Sequence, residues 1–338
     1  GINYTKKKFI MKICFIDPTN IEYSFKDIND PKIRGAESIF INLSKTLSEN
    51  GNQIFIFNNC KDEYLSKSYS WTNISKIHNF KNNFDIVISN NDTQILDIID
   101  CKKKFVISHS VQSIEKSLRK KQFFSYFKNR PTYLLLGKYH QSKMSKVFSI
   151  FGSKIIDYGV DKIFEDKEIL PDHNNKLSYF TSRQDRNLDI LIDIWKNDIF
   201  KKKKNLTLHV TPINEDLRKY NIFNRSMLPR PDFINEISSA RMIILPGHTA
   251  ELYCLAALEA LELCLPVVTM GIGSLSERVN HGFNGLISKN YKEFSNNIIE
   301  LYENDTLWYR LRSNLIANRG KNSWFNAAKK FMEIVNNK

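Results

Sequence analysis

Short apolar runs recur along the chain, and most are followed by a longer amphipathic stretch. The first is KICFID (12–17). A helical stripe follows at 36–49, carrying Ile39, Phe40, Leu43 and Leu47, with Asn50-Gly51 as its stop. Further strands are read at 53–57, 84–89, 104–108, 132–136 and 154–158. Strand-loop-helix alternation of this kind builds a mostly parallel sheet covered by helices on both faces. A second series begins after the polar, proline-containing stretch 164–175, which is read as a linker. It runs as strand 176–181, helix 186–199, strand 206–210, helix 232–240, strand 242–245, helix 252–264 and strand 266–269. Three helices close the chain near 291–302, 306–318 and 323–335. The expectation is an α/β protein of two doubly wound, Rossmann-like domains.

Composition narrows the class. The 338 residues are 42% hydrophobic and 25% charged, enough for packed cores. No apolar run approaches the roughly 18 residues needed to span a bilayer. Residues 1–10 hold no long apolar stretch, so no signal peptide is expected. They precede Met11 and are read as an upstream extension or an expression remnant. Five scattered cysteines form no CxxC pair, which points to a reducing, cytoplasmic compartment. The net charge of +14 comes with many lysines and asparagines. It is read as a solvated surface, and no nucleic-acid partner is expected.

In doubly wound folds ligands bind beyond the carboxyl ends of the strands. Four groups of residues fall there. Glu251 and Glu259 stand eight apart at the entry of an apolar helix. Glu259 lies on a largely apolar face and needs donors, which either a ribose diol or an arginine from elsewhere supplies. Arg183 and Arg186 lie where a strand hands over to a helix. A bound phosphate or diphosphate explains them, and neutralisation by Asp185 and Asp189 is the alternative. Gly35 opens the first helix, where it either permits close approach of a ligand or makes an ordinary turn. His109 follows the strand 104–108, either as a ligand-facing imidazole or as a structural one. No two aspartates are separated by a single residue, which disfavours a carboxylate-held metal. The sequence also lacks GxGxxG, the P-loop, HExxH and GxSxG.

The block AELYCLAALEALELCLPVV resembles the E-x7-E signature of retaining GT-B glycosyltransferases of family 4. GIGSLSERVNHGFNGLI is similar to the glycine-rich segment that follows it there. RGAESIFINLSKTLSENGNQIFIF, VISHS, IIDYGVD and SWFNAAKKFMEIV resemble further pieces, and the likeness covers most of 11–335. It implies a GT-B architecture, with two Rossmann-like domains facing across a cleft. Residues 11–165 would bind the acceptor and 176–320 the nucleotide sugar, and the helix 323–338 would return to the first domain.

By that resemblance, Arg183, with Arg186 as its basic partner, would bind the donor diphosphate. Glu259 would hold the ribose, and Glu251 the donor sugar. The N–H groups of Tyr253, Cys254 and Leu255 would face phosphates or sugar, although Tyr253-Cys254 stands where the family commonly has Phe-Gly. Met227 and Leu228 would flank the base, in the stretch 227–230. Gly35 would admit the donor phosphate, and His109 would lie by the anomeric centre. The implied activity is metal-independent, retaining hexosyl transfer to a glycan or lipid-linked saccharide. A UDP-sugar is expected before a GDP-sugar, and no cofactor. A nucleotide-sugar epimerase and a non-catalytic nucleotide-sugar-binding protein are the alternatives. The basic, aromatic stretch 115–130 suggests peripheral contact with an anionic membrane surface; solvated charges over core aromatics are the other reading.

Overall fold

The structure is a computed structural model and describes residues 11–30, 32–80 and 84–337. The chain forms two compact units. The first takes in the chain up to Ile28, Lys32–Tyr158 and the C-terminal segment from Trp324. The second spans Gly159–Ser323.

In the first unit the strands are β1 Lys12–Ile16, β2 Gln53–Asn58, β3 Tyr64–Leu65, β4 Tyr69–Asn73, β5 Ile86–Asn90, β6 Lys103–Ile107, β7 Thr132–Leu135 and β8 Ser153–Ile155. They lie in the order β3-β4-β2-β1-β5-β6-β7-β8. Every pairing is parallel except β3 with β4. The central strands are apolar on both faces, as a covered parallel sheet requires. Helix Gly35–Glu49 buries Ile39, Phe40, Leu43 and Leu47, the stripe read from the sequence. It ends at Gly51, whose φ of +90° no ordinary side chain adopts without strain. The hairpin β3–β4 was not expected. Its strands are short and polar, and their anchor is Trp71, which is fully buried and edge-on to Tyr23.

The second unit holds β9 Leu177–Tyr179, β10 Thr207–Val210, β11 Ile222–Asn224, β12 Met242–Gly247, β13 Val267–Ile272 and β14 Gly285–Ile287. Their order is β11-β10-β9-β12-β13-β14, all parallel. Two expected helices begin late. The one read at 186–199 starts at Leu188, after Asn187 in the left-handed region, and passes through a π-helical turn over Trp195–Ile199. The one read at 252–264 spans Leu255–Glu262, because Cys254 also adopts a positive φ and turns the chain before it.

The polar stretch 164–175 is not a free linker. Three arginines hold it on the second unit. Arg319 Nη2 donates to Phe164 O at 2.8 Å and also to Lys167 O. Arg312 reaches Leu170 O and Asp172, and Arg241 Nη1 donates to His173 O at 3.0 Å. Arg241 and Arg312 lie against the buried Trp308 ring, with their Cζ atoms 4.4 and 5.0 Å from its centre. A buried guanidinium is costly unless its fork is satisfied, so this segment's carbonyls are part of the unit's interior.

Candidate active site

The strand order of the second unit reverses between β9 and β12. Loops leaving adjacent strands there run to opposite sides and leave a crevice at their carboxyl ends. The loop after β9 carries Arg183 and Arg186, and the loop after β12 carries Glu251. The fold thus brings these three residues together. Arg186 Nη1 lies 2.9 Å from Asp185, and its Nε lies 3.4 Å from Glu251 Oε2. Arg183 Nη2 lies 2.8 Å from the same Asp185, and its side chain is 70% exposed. Asp185 is therefore the shared counter-ion, as the alternative reading had it, but Asp189 takes no part in these ion pairs. Neither arginine sits in a helical first turn. Both belong to a turn closed by Arg186 N–H donating to Arg183 O at 3.0 Å.

Glu251 is held by its surroundings. Its N–H donates to His248 O at 2.9 Å, and its carbonyl accepts from Ser274 N–H at 3.0 Å. Its Oε1 accepts from Cys254 N–H at 3.2 Å. The chain after β13 can come this close only because Gly273 has no side chain. A Cβ there would meet His248 O at 2.3 Å, and φ is +70°. Arg278 stacks its guanidinium 4.0 Å from the Tyr253 ring and donates from Nε to Tyr253 O at 2.9 Å, bracing the same turn. The Cys254 N–H, expected to face phosphates or sugar, is engaged by Glu251. Leu255 is the first residue of the helix, three residues later than expected.

Glu259 lies within the helix Leu255–Glu262. Its partner is Arg230, bonded through Nη1 to Oε1. Arg230 Nε also lies 3.4 Å from Asp161. Burial pushes the Glu259 carboxyl above its ordinary value, and Arg230 pulls it back in part. For Arg230 burial works against the charge, and the two carboxylates more than offset it. The arginine partner is thus the reading that the geometry realises for Glu259. Met227 and Leu228 precede the Arg230–Ile237 helix, Met227 being exposed and Leu228 half-buried. Sequence reasoning had Arg230 only as the end of the stretch 227–230 beside the base; it missed its pairing with Glu259 and missed Asp161 as a site residue altogether. The available signal was a half-buried carboxylate that needed a cation.

His109 and Gly35 belong to the first unit. There the strand order reverses between β1 and β5, with Asp17 and Asn91 just beyond those strands. The Asp17 carboxylate accepts from Tyr23 Oη at 2.7 Å and Thr19 N–H at 3.0 Å. His109 N–H donates to Asn91 Oδ1 at 2.7 Å, and its ring stacks on Tyr158. Its Nε2 is enclosed without a partner. Burial pulls the imidazole down to about 4, and the pull of Asp17 in the other direction is weaker. Gly35 is the first residue of its helix, directly after Arg34, which pairs with the buried Glu37.

Residues 219–322 match the family model described as glycosyl transferases group 1. This group 1 domain contains Arg230, Glu251 and Glu259, whereas Arg183 and Arg186 precede it. No curated protein matches the chain. Among solved structures, sucrose-phosphate synthase from Thermosynechococcus elongatus is 12% identical, with 97% of this chain and 98% of that one covered and a TM-score of 0.69. HepE from Anabaena, solved in complex with UDP, is 14% identical over 97% and 100% of the chains, with a TM-score of 0.68. WaaG, a glycosyltransferase involved in lipopolysaccharide biosynthesis, is 13% identical over 96% and 100%, with a TM-score of 0.66. The chain has the fold of GT-B glycosyltransferases.

Proposed function

We propose that the group 1 domain serves a retaining, metal-independent glycosyltransferase of family 4. It would move a hexose-type sugar from a nucleoside diphosphate sugar to a glycan or lipid-linked saccharide. The observation that carries this reading is the cluster beyond the switch-point strands of the second unit, where Arg183 and Arg186 share Asp185 and Arg186 also meets Glu251. Arg183 is the exposed member and offers its guanidinium to a diphosphate. Arg186 is set by Asp185 and Glu251 and adds a second positive charge. In the reaction the acceptor hydroxyl attacks the anomeric carbon on the face from which the diphosphate departs. The bond to the diphosphate oxygen breaks, its charge grows, and the acceptor proton leaves with it. The arginines stabilise that charge without reorganising. Glu251, fixed by four contacts along its length, accepts hydrogen bonds from the donor sugar. A UDP-sugar is preferred to a GDP-sugar, in keeping with the UDP bound by HepE. The reducing compartment expected from five unpaired cysteines belongs to the same proposal.

The test is a thermal-shift screen of UDP, GDP, ADP and their sugar conjugates with EDTA present. A ligand at 100 times its dissociation constant adds about 2.7 kcal/mol. One nucleotide stabilising the chain without metal supports the reading, and no response from the folded protein overturns it. Release of a free sugar isomer without an acceptor would point to the epimerase instead.

A further inference from the structure

Residues 111–130 of the first unit are built inside out. They form two short helices, Ile114–Arg119 and Phe123–Asn129. On an ordinary surface helix the apolar stripe faces the core. Here small polar side chains do so: Ser117, Gln122 and Ser125 are buried. Ile114, Leu118, Phe124 and Phe127 point outward, Phe124 with 79% of its surface exposed. Tyr126 is buried in the core and Phe123 packs against it, and hydrogen bonds also fix the underside. Gln122 Nε2 donates to Asp92 at 3.0 Å, and Ser125 Oγ and Asn129 Nδ2 donate to Asp97 at 2.8 and 2.6 Å. Thr93 Oγ1 donates to Gln122 O at 2.8 Å. The outward aromatics are therefore held in place by polar contacts beneath them.

The same face is strongly basic. Arg119, Lys120, Lys121, Lys128 and Arg130 are exposed around the apolar side chains, and Glu115 is the one acid of the segment. Lys128 lies 3.4 Å from Asp97. Ile150, 61% exposed, extends the apolar ground beside Phe151, whose ring lies 5.8 Å from Phe127. Apolar side chains rimmed by cations match the boundary between lipid tails and anionic headgroups. A water-facing role explains the cations but not the displaced aromatics.

We propose that this face docks on an anionic lipid bilayer, with Leu118, Phe124 and Phe127 entering the headgroup layer. Association is peripheral and reversible, and it does not depend on the nucleotide-sugar reading of the second unit.

The experiment is co-sedimentation with vesicles of phosphatidylcholine, with and without phosphatidylglycerol, in the absence of any nucleotide. The protein is expected to pellet with the anionic vesicles at low salt and to stay in solution at about 0.5 M salt. Phe124→Ser with Phe127→Ser is expected to weaken binding at least tenfold, and Lys120→Gln about fivefold. These side chains are exposed, so an unchanged melting temperature confirms folding. Absence from the anionic pellet, equal retention on neutral vesicles, or full binding by the double serine variant would each overturn the proposal. A fall in the sedimentation mass of the protein alone on introducing the serines would also overturn it, since the face would then join two copies of the chain.

Discussion

Arg186 meets Glu251 through Nε and Oε2 at 3.4 Å, and both side chains are largely buried. Two loops from neighbouring strands are thereby fixed to each other before any ligand arrives. The pair is expected to be coupled in folding as well as in binding. In a double-mutant cycle of Arg186→Ala and Glu251→Gln, we expect a coupling of about 1 kcal/mol in urea denaturation. Additivity of the two single effects would show that the contact is incidental.

Arg183 should behave differently. Its side chain is mostly exposed and pairs, among the described residues, with exposed Asp185, so Arg183→Ala should shift stability by less than about 0.5 kcal/mol. Turnover should nevertheless fall about 100-fold or more, the usual consequence of removing one donor to a developing anion. An unchanged rate of sugar transfer would remove Arg183 from the mechanism.

The Arg230 cluster answers to a different measurement. Arg230→Ala leaves Glu259 and Asp161 without their shared cation and should cost about 3–5 kcal/mol in denaturant. Asp161 still neutralises Arg230 when Glu259→Gln is made, so that change should cost less. A larger loss for Glu259→Gln would mean that the carboxylate has further partners.

Cys254 holds a left-handed conformation with φ +62° where glycine is the usual occupant. Cys254→Gly relieves that strain but gives up a buried thiol, so stability should stay within about 1 kcal/mol. Cys254→Val adds a β-branch in the same conformation and should cost about 2 kcal/mol or more. Equal melting temperatures for the two variants would contradict the backbone argument.

His109 should make stability depend on pH. The unfolded imidazole takes up its proton near its ordinary value of 6.5, the folded one only near 4. The stability contributed by the neutral ring is therefore complete above about 6.5 and is lost as pH falls toward 4. His109→Gln should flatten the melting-temperature profile in that window.

Where apolar runs are long enough to fill a covered strand, the sequence is easily read: β1, β5 and β12 each stand within two residues of expectation at either end. β11 and β14, three residues each, carry too little pattern to announce themselves. The late starts at Leu188 and Leu255 share one cause. Asn187 and Cys254 take positive φ values, and helical periodicity does not register a single residue outside the helical region. Arg183, Arg186, Glu251 and Glu259 could be named because charged residues beyond parallel strands need an explanation. Their partners could not be named, because ion pairs between distant segments leave no local trace. Asp161 illustrates this: it stood in the sequence as the end of IIDYGVD and stands in the structure beside Arg230.

The segment Phe164–His173 looks like the place to divide the chain, being polar and punctuated by proline. Its carbonyls nevertheless satisfy Arg241, Arg312 and Arg319. A chimaera joined within it would strip three guanidiniums of acceptors that no replacement loop is obliged to supply. The natural joint lies at Tyr158–Gly159, and sequence swapped between relatives should travel with everything downstream of that point as far as Ser323.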